Sequence, residues 1–266
     1  MPNPVDLLPA VCRIAAAAGR ATLSIYHSDF AVDTKANDSP LTQADVAAHR
    51  LIADGLQQLT PAWPQLSEEG SAITYATRRQ WTRYWLIDPL DGTREFVNRN
   101  DQFTINIALI EHQQPVLGVV YAPVYDTLWY GSVAGGAYKQ VADSAPAPLH
   151  TASTDMQKPH ILVSRSHRSP EVEALLEQLP DFTPISMGSS LKFCIIAEGN
   201  ADFYPRLGPT SEWDTAAAHA VLLAAGGQVT DIHGRPLRYN TGDSLLNPWF
   251  LAFGDRRHDW HRYVRK

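Results

Sequence analysis

The sequence predicts a mixed α/β (α+β) fold in which helices and strands do not alternate strictly. Three observations predict it. Residues 7–26 and 214–225 are rich in alanine, with apolar side chains at helical spacing. Residues 103–139 contain four short apolar runs separated by polar turns, which is typical of antiparallel strands. Further strand patterns, at 160–164, 202–205 and 229–231, are mixed with helical ones.

The helices, strands and loops between these segments are predicted from capping residues, prolines and polar stretches. A polar stretch at 33–40 is expected to be a loop, and Thr42 then begins a second helix. Thr42, with Asp45 three residues later, is typical of a capping box. Residues 84–88 predict a buried strand, and we expect Pro89 to end its pairing because proline has no N–H.

The second half of the chain predicts helices over 170–178, 189–198 and 214–225. Gly226 and Gly227 follow the last of these, as expected at a helix C-terminus. The stretch 142–159 is rich in Ala, Pro, Ser and Thr and is the best candidate for a junction. We therefore expect two parts, residues 1–150 and 151–266.

Composition excludes several classes of protein. The 266 residues include 22 Lys plus Arg and 28 Asp plus Glu, a net charge of −6 that is unfavourable for binding duplex nucleic acid. Residues 1–150 hold 15 of the acids and 10 of the basic residues, which fits either a solvated surface or a cation site. The only cysteines, Cys12 and Cys194, exclude a zinc ribbon and favour a reducing compartment.

The sequence predicts neither a signal peptide nor a transmembrane segment. The first six residues lack a basic region followed by an apolar stretch. The longest uncharged, apolar-leaning run, 215–230, is shorter than the ~20 residues that a spanning helix needs. We therefore expect a cytoplasmic protein.

Three acidic clusters carry the chemical signal: Glu68-Glu69, Asp88-Pro-Leu-Asp91-Gly-Thr93 and Glu212-Trp-Asp214. Asp88 and Asp91 repel each other on a short turn unless a cation lies between them. The Leu90 carbonyl adds an oxygen, and an all-oxygen cluster suits Mg²⁺ better than Zn²⁺. Gly92 and Thr93 would begin a helix whose free N–H groups favour a phosphate.

Each cluster alone also has a structural interpretation. The 88–93 segment could be an ordinary turn, Glu68 and Glu69 a solvated pair, and Asp214 a helix N-cap. The combination of all three favours metal-assisted phosphoryl transfer.

These residues resemble the Mg²⁺-dependent, lithium-sensitive phosphatases of the inositol monophosphatase superfamily. The resemblance rests on Glu68-Glu69, residues 85–93 and residues 213–217. Its CysQ-type branch, the 3'(2'),5'-bisphosphate nucleotidases, is matched more specifically at 188–194, 197–199 and 204–214, and the match extends to 37–42 and 164–167. The resemblance implies a layered αβαβα sandwich, with the main metal site in the first lobe and Asp214 and nucleotide contacts supplied by the second.

The resemblance also implies roles for individual residues. Two or three Mg²⁺ ions would be held by Glu68, Asp88, the Leu90 carbonyl, Asp91 and Asp214. Asp45, Thr93 and Glu68 would be catalytic, with Asp45 and Thr93 activating water, although a capping role for Asp45 stays open. The substrate-binding set would be Glu68, Leu90, Asp91, Gly92, Thr93, Ser189, Ser190, Lys192, Tyr204, Arg206 and Asp214.

The implied reaction removes the 3'-phosphate of adenosine 3',5'-bisphosphate to give AMP and phosphate, in sulfur assimilation and nucleotide recycling. The sulfated analogue is an open second substrate. One alternative is an inositol monophosphatase. A second is an aspartyl-nucleophile phosphatase of the haloacid dehalogenase type, disfavoured because its aspartates stand two residues apart and Asp88 and Asp91 stand three apart. A third is a non-catalytic nucleotide- or metal-binding protein.

Three further points stay open at this level. The chain could form a homodimer. Its basic tail, 256–266, could touch the cytoplasmic face of the inner membrane, although a solvated end is the simpler interpretation. Residues 70–77 follow no pattern of the family, and their role is open.

Overall fold

The computed structural model describes residues 2–29, 32–34, 40–164 and 169–264. Its helices are α1 (Pro4–Tyr26), α2 (Gln43–Leu59), α3 (Tyr75–Arg78), α4 (Thr93–Val97), α5 (Pro170–Leu176), α6 (Leu191–Ala197) and α7 (Glu212–Ala224). Its strands are β1 (Val32–Thr34), β2 (Pro40–Thr42), β3 (Gln65–Ser67), β4 (Arg83–Asp91), β5 (Thr104–Glu111), β6 (Gln114–Ala122), β7 (Thr127–Ser132), β8 (Gly136–Val141), β9 (Ala147–Leu149), β10 (His160–Ser164), β11 (Thr183–Met187), β12 (Phe203–Arg206), β13 (Gln228–Asp231) and β14 (Phe250–Phe253). Short 3₁₀ helices cover Pro123–Tyr125 and Trp260–Tyr263.

The strands form two large sheets and one small hairpin. The seven-stranded sheet has the order β3-β4-β5-β6-β7-β8-β9, and only its β3–β4 pair is parallel. The five-stranded sheet has the order β11-β10-β12-β14-β13. Strand β10 is parallel to β11 and β12, and β14 is antiparallel to β12 and β13. Strands β1 and β2 pair only with each other among the described residues.

Helices cover the outer faces of both sheets. Helices α1 and α2 pack on the seven-stranded sheet, where Val11 and Ile52 share a core with Ile107. Helix α5 packs on the outer face of the five-stranded sheet, where Leu175 joins a cluster with Phe203. These contacts place the outer helical layers on opposite sides of the molecule.

Helices α6 and α7 form the layer between the sheets. One cluster joins Val120 of β6, Leu222 of α7 and Ala252 of β14. A Cβ added to Gly118 of β6 would lie 2.0 Å from the Ala217 carbonyl oxygen, so the α7 backbone packs directly on the strand. The alanines of α7 allow this close packing on both faces. The predicted αβαβα sandwich is therefore confirmed.

Two local predictions were wrong. Pro89 does not end β4: the ladder is interrupted between Asp88 and Asp91 and resumes where Asp91 pairs with Thr104, because an irregularity absorbs the missing N–H. The predicted loop at 33–40 contains parts of β1 and β2, with 35–39 outside the described residues. The stretch 142–159 contains β9, which pairs with β8, and the junction expected there stays a prediction.

Some short elements have no clear sequence signal, namely β3, α3, β11 and β14. The seven-stranded sheet ends at Leu149 and the five-stranded sheet begins at His160, which is close to the predicted boundary. Since α7 of the second part packs against both sheets, the division into two lobes stays a prediction.

Helix α1 has the length and composition that a membrane-spanning helix requires, with a mean hydropathy of 1.2. Its residues Leu7, Leu8, Val11 and Ala15 are nevertheless buried against the seven-stranded sheet. The helix therefore acts as a core helix of this fold.

A pH-dependent contribution to stability comes from His219 on α7. It is buried, with Nδ1 2.9 Å from the Tyr239 hydroxyl oxygen, and burial lowers its pKa from 6.5 to about 3. Because the fold favours the neutral ring, the stabilisation is complete above pH 6.5 and is lost as the pH falls, by about 2 kcal/mol at pH 5.

We expect His219→Asn, whose amide can replace Nδ1, to remove this dependence. The difference in unfolding free energy between pH 7 and pH 5, measured by urea denaturation in EDTA, should then be about 2 kcal/mol smaller than in the wild type. An unchanged difference would contradict the assignment.

Candidate active site

A cavity of about 270 Å³ brings the predicted site residues together. Twelve of the thirteen line it: Glu68, Asp88, Leu90, Asp91, Gly92, Thr93, Ser189, Ser190, Lys192, Tyr204, Arg206 and Asp214. The thirteenth, Asp45, lies behind Thr93. The structure thus joins residues from β4, α4, α6, β12 and α7 in one place. Residues 37–39 and 165–167, which contributed to the resemblance, are outside the described part of the chain.

Three carboxylates converge at the floor of this cavity. Glu68, Asp88 and Asp214 each offer an oxygen, and these oxygens lie within 4.8 Å of one another. Burial, together with the negative charge of Glu68 and Asp91, raises the pKa of Asp88 well above its usual value. Burial and Asp91 do the same to the pKa of Asp214. Such mutual repulsion is relieved by a bound cation, so the donor set fits a divalent metal that prefers oxygen.

Local hydrogen bonds orient two of these carboxylates. The Leu90 N–H donates to Asp88 Oδ1 at 3.0 Å, across the irregular end of β4. The Ser211 N–H donates to Asp214 Oδ2 at 2.9 Å, so Ser211 is the N-cap of α7 and Asp214 is the N3 residue of its capping box. Asp214 is therefore not the N-cap that its type suggested, and it has both a capping contact and a place in the carboxylate cluster.

Asp91 is held by the segment that precedes α6. Its Oδ2 accepts hydrogen bonds from the Ser190 N–H at 2.5 Å and from Asn106 Nδ2 at 3.5 Å. Burial raises the pKa of Asp91 to about 6, although Lys192 and the Ser190 N–H act in the opposite direction. Asp91 also lines the cavity.

The turn at Gly92 begins α4, as predicted. Gly92 has φ of 90°, a left-handed conformation that favours glycine, and Thr93 is the first residue of the helix. The Thr93 hydroxyl lies 3.4 Å from Asp45 Oδ1 and 3.3 Å from the Leu90 carbonyl oxygen.

Asp45 contacts both the start of α2 and the Thr93 hydroxyl. Its Oδ2 accepts hydrogen bonds from the Thr42 N–H and hydroxyl, both at 2.7 Å, which completes the capping box of α2. Its Oδ1 faces the Thr93 hydroxyl. Capping and contact with the site therefore use different oxygens of one carboxylate.

Two cations face the carboxylates across the cavity. Lys192 Nζ donates to the Ser189 carbonyl at 2.7 Å and lies 5.2 Å from the centre of the Tyr204 ring. Burial lowers the pKa of Lys192 to about 8. Arg206 Nη2 donates to the Pro209 carbonyl at 2.5 Å, whereas its buried Nε has no partner among the described residues. Tyr204 is buried, and the face of its ring contacts the Lys192 ammonium group.

Sequence reasoning missed a polar layer beneath Asp91. Ser190 Oγ lies 2.9 Å from both the Thr104 hydroxyl and Asn106 Oδ1. Thr104 and Asn106 are buried polar residues at alternate positions of an otherwise apolar strand, which is a signal that could have revealed them. Glu95, also missed, is buried and lines the cavity.

Comparison with known proteins agrees with this geometry. The sequence profile described as "Inositol monophosphatase family" matches residues 4–260. The chain belongs to the inositol monophosphatase family. Within this family, the chain is 48% identical over 246 residues to the 3'(2'),5'-bisphosphate nucleotidase CysQ of Escherichia coli (strain K12). The alignment covers 92% of this chain and 98% of that protein. The chain is 38% identical over 256 residues to the protein of the same name from Haemophilus influenzae, covering 96% and 95%.

Solved structures of inositol monophosphatase family members have the same architecture. The crystal structure of CysQ from Bacteroides thetaiotaomicron superimposes with a TM-score of 0.80 at 40% identity, covering 93% of this chain and 96% of that one. The inositol monophosphatase from Anabaena gives a TM-score of 0.78 at 24% identity, covering 98% and 95%. The latter similarity supports the fold alone.

Proposed function

We propose that this protein is a Mg²⁺-dependent 3'(2'),5'-bisphosphate nucleotidase that converts adenosine 3',5'-bisphosphate to AMP and phosphate. The observation that carries the proposal is the convergence of Glu68, Asp88 and Asp214 within 4.8 Å, in a cavity that also contains Lys192 and Arg206. An anionic substrate with two phosphates needs cationic partners at both ends of such a cavity. The names of the CysQ relatives support the same reaction.

The oxygen donors divide into two overlapping sets. Glu68, Asp88 and the Leu90 carbonyl would hold one Mg²⁺ ion, and Asp88, Asp91 and Asp214 would hold a second, with a third near Glu68 as an optional addition. Bound Mg²⁺ would supply a water of lowered pKa and would neutralise charge on the phosphate and on the leaving oxygen.

Asp45 and Thr93 would accept the proton of the attacking water. Thr93 Oγ1 would accept a hydrogen bond from the water and donate its own proton towards Asp45 Oδ1, 3.4 Å away in the absence of substrate. The bond between the water oxygen and phosphorus forms as the bond from phosphorus to the 3'-oxygen breaks. Phosphate is released, and the 3'-oxygen takes a proton from bulk water to become the 3'-hydroxyl. The Gly92 and Thr93 N–H groups at the start of α4 would hold the phosphate oxygens.

The second half of the chain would recognise the nucleotide. We propose that Arg206 and Lys192 bind the 5'-phosphate, with Ser189 and Ser190 near the ribose and Tyr204 beneath Lys192. The position of Arg206 in the cavity lining supports this role, because a guanidinium can bind phosphate through two parallel N–H groups.

Arg206→Gln should therefore raise KM for adenosine 3',5'-bisphosphate by about 10- to 100-fold, because loss of a charge-assisted hydrogen bond costs about 1.5–3 kcal/mol. The matched control substrate is adenosine 3'-monophosphate, which lacks the 5'-phosphate and should show little change in KM. An equal change for both substrates would contradict contact with the 5'-phosphate.

Phosphate release from adenosine 3',5'-bisphosphate, with and without Mg²⁺, tests the proposed function. We expect kcat/KM for this substrate to exceed that for inositol 1-phosphate, and EDTA to abolish turnover. A preference for inositol 1-phosphate would change the substrate, a trapped aspartyl-phosphate would refute the mechanism, and no turnover of either would favour a binding protein.

The proposal places the enzyme in the cytoplasm. Cys12 and Cys194 are both free thiols, which suits a reducing compartment. Homodimer formation and contact of the basic C-terminal tail with a membrane stay predictions.

A further inference from the structure

The connection between β3 and β4 contains residues 70–77, for which sequence analysis found no role. It follows Glu68 and contains α3, whose last residue, Arg78, is only 1% exposed. A fully buried arginine needs several hydrogen-bond acceptors. It finds them in the loop formed by residues 239–247, which follows β13 of the other sheet.

Asn240 is the centre of this contact. Arg78 Nη1 donates to Asn240 Oδ1 at 2.6 Å, and Asn240 Nδ2 donates to the Arg78 carbonyl at 2.6 Å. Arg78 Nη2 donates to the Asp243 carbonyl. Nearby, the Tyr75 hydroxyl donates to the Thr241 carbonyl at 3.1 Å. The side-chain amide of Asn240 therefore binds Arg78 of α3 both as a hydrogen-bond acceptor and as a donor.

The same loop also holds the start of α7. The Asn240 N–H donates to both carboxylate oxygens of Glu212, at 2.8 and 2.9 Å, and Glu212 is the first residue of the helix. The Glu212 N–H donates to the Leu245 carbonyl at 2.8 Å. Asn240 thus contacts α3 through its side chain and α7 through its backbone, with a left-handed φ of 54°.

We propose that Arg78, Asn240 and Glu212 form a positioning bridge that fixes the β3–β4 connection against the start of α7 and so sets the metal affinity of the active site. The inference rests on the proposed function, since it assigns the carboxylates of Glu68, Asp88 and Asp214 to a divalent metal. Glu68 is the first residue of the β3–β4 connection, Asp88 lies within β4, and Asp214 lies two residues after Glu212.

The physical reason is the repulsion within the carboxylate cluster. Without a cation, the negative charges favour moving Asp214 away from Glu68 and Asp88. Such movement is possible because Asp214 lies on α7, whereas Glu68 and Asp88 lie in the β3–β4 region. A rigid link between those segments keeps the three ligands close, so that a metal does not have to bring them together on binding.

The Asn240→Gly variant tests this bridge with little disturbance of the backbone. Glycine accepts φ of 54° and keeps the N–H bonds to Glu212, while the two side-chain contacts with Arg78 are lost. We expect the dissociation constant for Mn²⁺, measured by electron paramagnetic resonance without substrate, to rise about tenfold. The Mg²⁺ concentration for half-maximal activity should rise similarly, with kcat at saturating Mg²⁺ within about twofold of wild type.

Two further variants complete the experiment. Arg78→Lys removes the guanidinium half of the link and keeps the hydrogen bond from Asn240 Nδ2 to the residue 78 carbonyl. The double variant should bind Mn²⁺ no more weakly than Asn240→Gly alone. The matched control is Glu198→Gln at the C-terminal end of α6. It weakens the half-buried contacts of Glu198 with Trp129 Nε1 at 2.6 Å and with Lys139 Nζ at 2.7 Å. It should lower the melting temperature without changing Mn²⁺ affinity.

A lower melting temperature of Asn240→Gly with Mn²⁺ affinity within about twofold of wild type would overturn the proposal and leave a structural role only. If Asn240→Gly does not fold, Arg78→Lys decides by the same criterion. Because Mn²⁺ binding is measured without substrate, inactivity of the wild type towards the bisphosphate would refute the proposed function and leave the affinity comparison intact.

Discussion

The Asp91→Asn variant is expected to lose phosphatase activity by about 10³-fold, equivalent to about 4 kcal/mol of transition-state stabilisation. The amide removes the negative charge shared with Asp88 and Asp214, while its oxygen can still accept the Ser190 N–H. Because burial raises the pKa of Asp91 to about 6, the ionised carboxylate destabilises the metal-free fold at pH 7.5. The melting temperature in EDTA should therefore equal or exceed that of the wild type.

Activity assays and thermal unfolding with EDTA or Mg²⁺ check this expectation. Mg²⁺ should raise the melting temperature of the wild type more than that of the variant. A matched control is Asp126→Asn, since Asp126 accepts a hydrogen bond from the Tyr121 hydroxyl at 2.8 Å and lies outside the cavity. Substantial turnover by Asp91→Asn would refute its role as a metal ligand.

The second large effect is expected from Asp45→Asn, with a fall in kcat of about 10²–10³-fold and little change in KM. An amide oxygen can still accept the Thr42 N–H in the capping box, but an amide cannot accept a proton that leaves Thr93. The variant therefore separates the two roles of this side chain.

Steady-state kinetics and melting temperature should be measured together for this variant. Ser169→Ala, which removes the N-cap of α5 away from the cavity, provides the control for loss of a cap, at about 1 kcal/mol of stability. It should leave kcat unchanged. If Asp45→Asn were destabilised to the same extent and kept the wild-type kcat, Asp45 would be a capping residue alone.

The long helices could be predicted because apolar spacing repeats over several turns. Helices α1 and α7 begin within three residues of the predicted positions. Strands β3 and β11 could not be predicted, because each has five residues or fewer and is defined by pairing with a strand elsewhere in the chain. The continuation of β4 past Pro89 likewise depends on β5, which supplies Thr104 as the partner of Asp91.

The candidate site shows the same division. Residues 88–93 could be predicted because two carboxylates, a glycine and a helix start follow one another in a short segment. The alternation in β5 could have revealed Thr104 and Asn106, but their contacts with Ser190 could not be predicted, because they require knowing that α6 begins beside β5. The buried bridge at Asn240 was missed for the same reason, as its partners are distant in sequence.

The position of α7 between the two sheets has a consequence for folding. Glu68 and Asp88 belong to the seven-stranded sheet, whereas Asp214 becomes their neighbour only after α7 has docked on β6 at Gly118. An intermediate with a single sheet formed therefore lacks the complete ligand set. Metal added during refolding should bind chains in which α7 has docked and should shift the population towards the native state. The yield of refolded protein should therefore depend on the divalent ion present.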